Sequence, residues 1–137
     1  MKSRDVAVLI LEHEGKILLQ KRSKDAKRFS DSWGLFGGGI KAGETPEQAL
    51  KREIAEEAGF QLKHPTLAGI HPYELKELNE NGNVYFFTED FDNSKLTLHE
   101  GQELAWFHPE EALRLPMDSI YRNIITEIVQ KRIRVVS

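Results

Sequence analysis

The hydrophobic pattern opens with two apolar-rich runs, Val6–Leu11 and Lys16–Lys21, separated by Glu12-His13-Glu14-Gly15. Short apolar runs flanking a polar, glycine-containing tetrapeptide predict a β-hairpin. Val6–Leu11 contains no polar residue and is too short for a signal-peptide core or a membrane span, so it reads as a buried strand. The polar stretch Arg22–Ser32 predicts a loop. Trp33-Gly34-Leu35-Phe36 then predicts a short aromatic strand running into Gly37-Gly38-Gly39. Consecutive glycines permit positive φ and close approach of backbone to a ligand.

Thr45-Pro46-x-Gln48 has the chemistry of a helix start: a hydroxyl cap, proline at the first helical position and glutamine closing a capping box. Gly59 supplies the stop, so a helix is predicted over Pro46–Ala58. Beyond it, Gln61–Ile70 and Tyr73–Leu78 read as strands, Asn79–Asn83 as a turn, and Val84–Glu89 and Leu104–Phe107 as further strands. His108-Pro109-Glu110-Glu111 begins a second helix. Ile120, Ile124, Ile125, Ile128 and Val129 recur at helical spacing and predict a third helix over Ser119–Arg132. Strands and helices mix without strict βαβ alternation, which implies a mixed sheet covered by helices.

Composition narrows the function classes. The 137 residues suit one domain spanning 1–137, with an ordinary globular balance of 39% hydrophobic and 30% charged residues. A net charge of −3 argues against a groove for long nucleic acid, although Lys21, Arg22, Lys24, Lys27 and Arg28 form a local basic cluster. There is no cysteine, which excludes a disulfide framework, a thiolate zinc site and a cysteine nucleophile. A cytoplasmic protein without a membrane partner is the expectation. The apolar first strand fits a core strand or an interface edge equally, so a homodimer stays open.

The predicted helix over Pro46–Ala58 carries the most informative chemistry. Glu53, Glu56 and Glu57 fall within about a third of its circumference. Leu50, Ile54 and Ala58 form a neighbouring packing stripe, and small Ala49 is expected to lie within the carboxylate face and leave space above it. Clustered carboxylates repel and raise one another's pKa unless a cation neutralises them. Hard divalent ions such as Mg²⁺ or Mn²⁺ prefer oxygen ligands, and the Gly37–Gly39 backbone could add a carbonyl. Because Mg²⁺ bridges few carboxylates to phosphate oxygens, a phosphate-bearing substrate is the natural partner. A solvated helix face with i,i+4 pairs accounts for a bare E-x-x-E-E. It does not account for the full run Gly38-x5-Glu44-x7-Arg52-Glu53-Ile54-x-Glu56-Glu57-x-Gly59-Phe60.

That run resembles the Nudix box, GX5EX7REUXEEXGU, at every specified position, and the resemblance extends over most of the chain. It implies an α/β/α sandwich with a mixed β-sheet and Mg²⁺-dependent hydrolysis of a nucleoside diphosphate linked to another group. On this chain it implies that Glu53, Glu56 and Glu57 are metal ligands with the Gly38 carbonyl assisting. Arg52 would orient Glu53, and Glu44 would support the loop–helix geometry. One departure is Phe36, where many members have proline before the paired glycines. The general base stays open between Glu53 and a glutamate from a distant loop. Glu100-Gly101-Gln102-x3-Trp106 resembles the corresponding stretch of MutT-like nucleoside triphosphate pyrophosphohydrolases, which puts Glu100 forward, with Glu103 behind it.

Outside the box, Arg22 is a candidate for phosphate contact. Phe29 or Trp33 could stack on a base, although Trp33 beside the glycines also suits core packing. Asp118 lies where MutT-like members carry a base-reading residue, yet it is equally placed to cap the last helix. The five histidines show no metal spacing. Pro72 and Tyr73 come too early for the marks of ADP-ribose or dinucleoside polyphosphate hydrolases, and isopentenyl diphosphate isomerases need a cysteine. The leading expectation is therefore a small nucleotide substrate, a (deoxy)nucleoside triphosphate, cleaved to monophosphate and pyrophosphate. The alternatives are a nucleotide-sugar or ADP-ribose pyrophosphatase and a silent Nudix domain that only binds nucleotides.

Overall fold

A computed structural model describes residues 2–23, 31–92 and 103–136, with 132–136 described by backbone alone. In chain order the elements are β1 (Lys2–Ser3), β2 (Val6–His13), β3 (Lys16–Lys21), β4 (Trp33–Gly34), β5 (Phe36–Gly39) and α1 (Pro46–Ala58). They continue with β6 (Thr66–Leu75), a 3₁₀ turn (Lys76–Leu78), β7 (Glu80–Asp90), β8 (Glu103–Phe107), α2 (Pro109–Ala112) and α3 (Ser119–Val136).

β2 is the pivot of the mixed sheet. It runs parallel to β7 from Val6 to Glu12 and antiparallel to β5 from Val6 to Leu9, and it turns into β3 at the predicted hairpin. Glu14 and Gly15 both take positive φ there, which matches a two-residue turn to the twist of its strands. β3 carries on to β8 and β4, while β7 holds β6 on its other side.

Alternation along β2 explains its unbroken apolar run. Val8 and Ile10 point to one face, where they meet Ile124, Ile125 and Ile128 of α3 together with Val84 and Phe86. Ala7, Leu9 and Leu11 point to the other, against Leu50, Ile54 and Ala58 of α1 together with Phe36 and Phe60. A strand buried on both faces has no solvent side to make polar. Each large side chain sealed in this way contributes about 1.5–3 kcal/mol of hydrophobic stabilisation. The result is helix, sheet and helix in layers, the expected α/β/α sandwich.

Several local expectations are corrected. Gln61–Ile70 and Tyr73–Leu78 are not two strands: Thr66–Leu75 is continuous through Pro72. Proline is tolerated because β6 pairs only with β7 among the described residues, so the missing N–H lies on an edge. Asn79–Asn83 is not a turn. The reversal is made by Lys76–Leu78 and left-handed Asn79, and β7 already starts at Glu80, held by β6 and by β1 in parallel. α3 runs four residues past the expected Arg132, to Val136. Ala49 is not below an open space either. It is 0% exposed, packed into the α1 core one turn before Glu53. Of the expected loop Arg22–Ser32, residues 24–30 lie outside the described residues.

Candidate active site

The helix that carries the glutamates is fixed at both ends by local chemistry. Thr45 Oγ1 accepts from the Gln48 N–H at 3.1 Å, and the Gln48 side chain accepts from the Thr45 N–H at 2.9 Å. Gly59 closes the helix in the left-handed conformation, its N–H donating to the Ala55 carbonyl. With α1 packed on β2 and β5, the side chains of Glu53 and Glu57 are aimed past the glycine strand.

Arg52 ties the loop to the helix. Its Nε and Nη2 donate to the two oxygens of Glu44 at 2.7 and 2.9 Å, a bidentate pair. Nη2 also donates to the Gly39 carbonyl at 3.1 Å, and Nη1 to Glu53 Oε1 at 2.7 Å. Glu44 additionally accepts from the Lys41 N–H at 2.9 Å. The Arg52 hydrogen bonds, aided by that of Lys41, hold the Glu44 carboxyl down to about 2. Arg52 therefore fixes the rotamer of Glu53 while Glu44 fixes Arg52.

Glu57 is in a different setting. Its Oε1 accepts from the Gly37 N–H at 3.3 Å and its Oε2 from buried Gln20 at 3.4 Å. Burial, seconded by the charge of Glu53, pushes its carboxyl up to about 7, against the opposing pull of Gln20, Arg22 and Gly37. Such a carboxylate is poorly solvated, and a bound cation would stabilise its charge.

Glu53 and Glu57 face a common cavity of about 210 Å³. Gly37, Gly38 and Arg22 line it beside them, Val6 and Val8 form part of its wall, and Arg4, Tyr73, Ile120 and Tyr121 complete it. Gly38 leaves room for the Glu53 carboxylate: a Cβ there would sit 2.4 Å from Glu53 Cδ and push that side chain aside. Among the described residues Arg22 Nε is buried without a hydrogen-bond partner, an orphan donor in the lining of a cavity that holds two carboxylates. A buried unpaired donor is costly unless a ligand oxygen completes it.

The remaining candidates are placed as follows. Glu56 is 61% exposed, lies outside the cavity lining and sits 3.7 Å from Arg52. Trp33 packs edge-on against Phe107 at 5.2 Å, within the α3 core and away from the cavity lining. Asp118 accepts from the Ile120 N–H at 2.9 Å, which starts α3, and is not part of the lining. Glu103 is exposed at the start of β8. Glu100 and Phe29 lie outside the described residues. Among the described residues no three His, Cys, Asp or Glu side chains are gathered as a metal cage. The Glu53–Glu57 pair nonetheless fits Mg²⁺, which takes one or two carboxylates and completes its shell with water and phosphate oxygens.

Sequence reasoning missed six lining residues, Val6 and Val8 among them because they read only as parts of a buried strand, and one support. Gln20 had a visible signal, a polar residue inside Lys16–Lys21 that is only 3% exposed. Arg4, Tyr73, Ile120 and Tyr121 come from chain-distant elements that only the fold brings together.

A model of the NUDIX domain matches residues 1–128. The chain is 33% identical over 121 residues to the CTP pyrophosphohydrolase of Escherichia coli, covering 85% of this chain and 84% of that one. It is 29% identical over 140 residues to the nucleoside triphosphatase NudI of an Enterobacter species, covering 93% and 97%. The crystal structure of a MutT NUDIX hydrolase from Burkholderia pseudomallei is similar at a TM-score of 0.77 and 26% identity, over 92% of this chain and 98% of that one. Box, fold and relatives agree: the chain belongs to the NUDIX family and is a hydrolase of acid anhydrides.

Proposed function

We propose that this protein is a Mg²⁺-dependent pyrophosphohydrolase that cleaves a nucleoside triphosphate to the monophosphate and pyrophosphate. The observation that carries the reading is the cavity itself. Two carboxylates, a glycine strand and the orphan Arg22 Nε share its lining with Arg4 and with the apolar and aromatic side chains of Val6, Val8, Tyr73, Ile120 and Tyr121. A polyanion with its metal needs the first set and a nucleoside suits the apolar and aromatic one. Two relatives named for triphosphate substrates support the same assignment.

Glu53 and Glu57 would hold the metal, with Glu56 and the Gly38 carbonyl as further oxygen donors. When bound, the metal neutralises the diphosphate, lowers the pKa of a water and stabilises the leaving oxygen. The chain's own residues do the rest. Arg22 binds and orients the phosphate chain through its unpaired Nε. Gly37 and Gly38 let that chain approach the backbone. Glu53 Oε1 is occupied by Arg52, so Oε2 is assigned to take the proton from the attacking water. Arg52 and Glu44 keep that oxygen in place. Glu100 is the alternative base, and Trp33 and Asp118 are left to structural tasks. Val6, Val8, Ile120 and Tyr121 exclude water around the nucleoside. A cytoplasmic enzyme acting as a monomer or homodimer is consistent with this reading, and among the described residues no helix is long and apolar enough to cross a membrane.

The test is a panel of nucleoside triphosphates, nucleotide sugars, ADP-ribose and dinucleoside polyphosphates, assayed with Mg²⁺, Mn²⁺ or chelator. Pyrophosphate release from triphosphates, abolished by chelator, is expected. Turnover confined to nucleotide sugars or ADP-ribose would replace this substrate class, and no turnover with either metal would sink the enzyme reading.

A further inference from the structure

A carboxamide is sealed into the core directly behind Glu57. Side chains along β3 alternate: Ile17 and Leu19 enter the α3 core, and Leu18 enters the α1 core. Gln20 follows Leu18 on the α1 side and is only 3% exposed. Its backbone is paired on both flanks, with Gly34 of β4 and Leu104 of β8, a register that fixes the face to which it points. Leucine would continue the pattern, and a buried carboxamide is costly unless it is hydrogen-bonded. Its Nε2 donates to Glu57 Oε2 at 3.4 Å, and the other oxygen of that carboxylate accepts from the Gly37 N–H at 3.3 Å. Glu57 lines the cavity, whereas Gln20 stands behind it and is not part of the lining.

The two carboxylates of the cavity are therefore held in different ways. Glu53 is gripped by a cation, Arg52, at 2.7 Å. Glu57 is bracketed by two neutral donors, one from β3 and one from β5. Both contacts are longer than the usual spacing of about 2.9–3.0 Å, so they limit how the carboxylate turns and leave its charge available. A lysine or arginine at position 20 would pair with Glu57 and compete with an incoming cation. A leucine would remove the donor altogether. A neutral amide orients the carboxylate without neutralising it. Ligating carboxylates are held from behind by such partners, and losing one weakens metal binding.

We propose that Gln20 is a positioning residue for Glu57, one that presets its carboxylate to receive a divalent cation. It acts through Glu57 and does not touch the nucleotide. This inference rests on the reading of Glu57 as a metal ligand given above. It separates two properties: metal affinity depends on Gln20, and nucleotide recognition does not. Gln20→Met keeps the length of the side chain and deletes the amide. Gln20→Leu extends the apolar face already set by Leu18.

The experiment measures Mn²⁺ binding to the nucleotide-free protein, from the electron paramagnetic resonance signal of unbound Mn²⁺. The native chain is compared with Gln20→Met, Gln20→Leu and Glu57→Gln. Both Gln20 variants are expected to bind Mn²⁺ about tenfold more weakly or worse. The Mg²⁺ concentration for half-maximal pyrophosphate release should rise in step, while KM for the nucleotide at saturating Mg²⁺ keeps its native value. A merely structural lesion would instead lower kcat at every Mg²⁺ concentration. Thermal unfolding in chelator shows whether each variant folds. If neither Gln20 variant folds, the native chain decides: the side-chain amide resonance of Gln20 should shift when Mg²⁺ is added, and a resonance that stays fixed while that of the Gly37 N–H moves refutes the proposal. Gln20 variants that bind Mn²⁺ as the native chain does, while Glu57→Gln binds it weakly, would overturn the Gln20 assignment alone. Native affinity in Glu57→Gln would overturn the metal-ligand reading of Glu57 and this inference with it.

Discussion

Glu57→Gln should make the metal-free protein more stable while removing its activity. The ordinary glutamate value is 4.5, and burial in the cavity wall raises that of Glu57 to about 7. At 1.36 kcal/mol per pH unit, this corresponds to about 3 kcal/mol that the folded, metal-free chain loses when the carboxylate ionises, taken as an upper bound. The sign follows from proton counting. Between the unfolded and folded values the native state binds the proton and the unfolded state does not, so unfolding free energy falls as pH rises through this window. The group is neutral in both states below about 4.5, and the full cost is present above about 7. Glutamine keeps its one acceptor oxygen for the Gly37 N–H and carries no charge, and its NH2 group can donate to Gln20 once the Gln20 amide is turned to present its oxygen. Urea unfolding in chelator at pH 4.5 and pH 8 provides the assay. The variant should match the native chain at the lower pH and exceed it by up to about 3 kcal/mol at the higher one. The native chain should recover the difference on adding Mg²⁺, because a ligand that binds only the folded state stabilises it. A variant less stable than the native chain at pH 8 without metal would refute the reasoning.

Other perturbations test the positioning of the same groups. Gly38→Ala should displace the Glu53 carboxylate, given the 2.4 Å approach, and lower kcat by about 10²-fold with little change in unfolding midpoint, as misplacement by about 1 Å commonly does. Steady-state kinetics beside a thermal melt separates the two effects. Arg52→Lys should lower kcat at least about tenfold, because a point charge cannot hold Glu44 in a bidentate pair and reach the Gly39 carbonyl and Glu53 as well. A pH–rate profile should move with it. Thr45→Ala removes the helix cap and should cost about 1 kcal/mol in urea unfolding while leaving KM near the native value.

The parts of the fold written in local chemistry were legible in the sequence. α1 begins at Pro46 and ends at Ala58 as expected, because its cap, its proline and its terminal glycine act on their own neighbours. Val6–Leu11 was readable as a buried strand because alternation disappears where both faces are covered. The parts that depend on distant pairing were not. β1 has two residues and exists through its pairing with β7, and Pro72 remains in a strand because the fold puts it on an edge. Ala49 lies in the packing face although its angular position also suits the carboxylate face, because angle alone does not say how far the packing face extends. Within the site, the spacing of Glu44, Arg52, Glu53 and Glu57 carried its own geometry. Nothing in the spacing of Arg4, Tyr73, Ile120 and Tyr121 joins them to it; β6, α3 and the start of β2 bring them to the same cavity.

The central claim is that the two carboxylates and Arg22 direct cleavage between the α- and β-phosphates of a nucleoside triphosphate. The most direct measurement is a ³¹P spectrum of CTP incubated with the native protein and Mg²⁺, followed in parallel with Glu53→Gln and Glu57→Gln. Nucleoside monophosphate and pyrophosphate growing in equal amounts, in the native sample alone, is the expected result. Nucleoside diphosphate with orthophosphate, or the same products at the same rate from both variants, would contradict it.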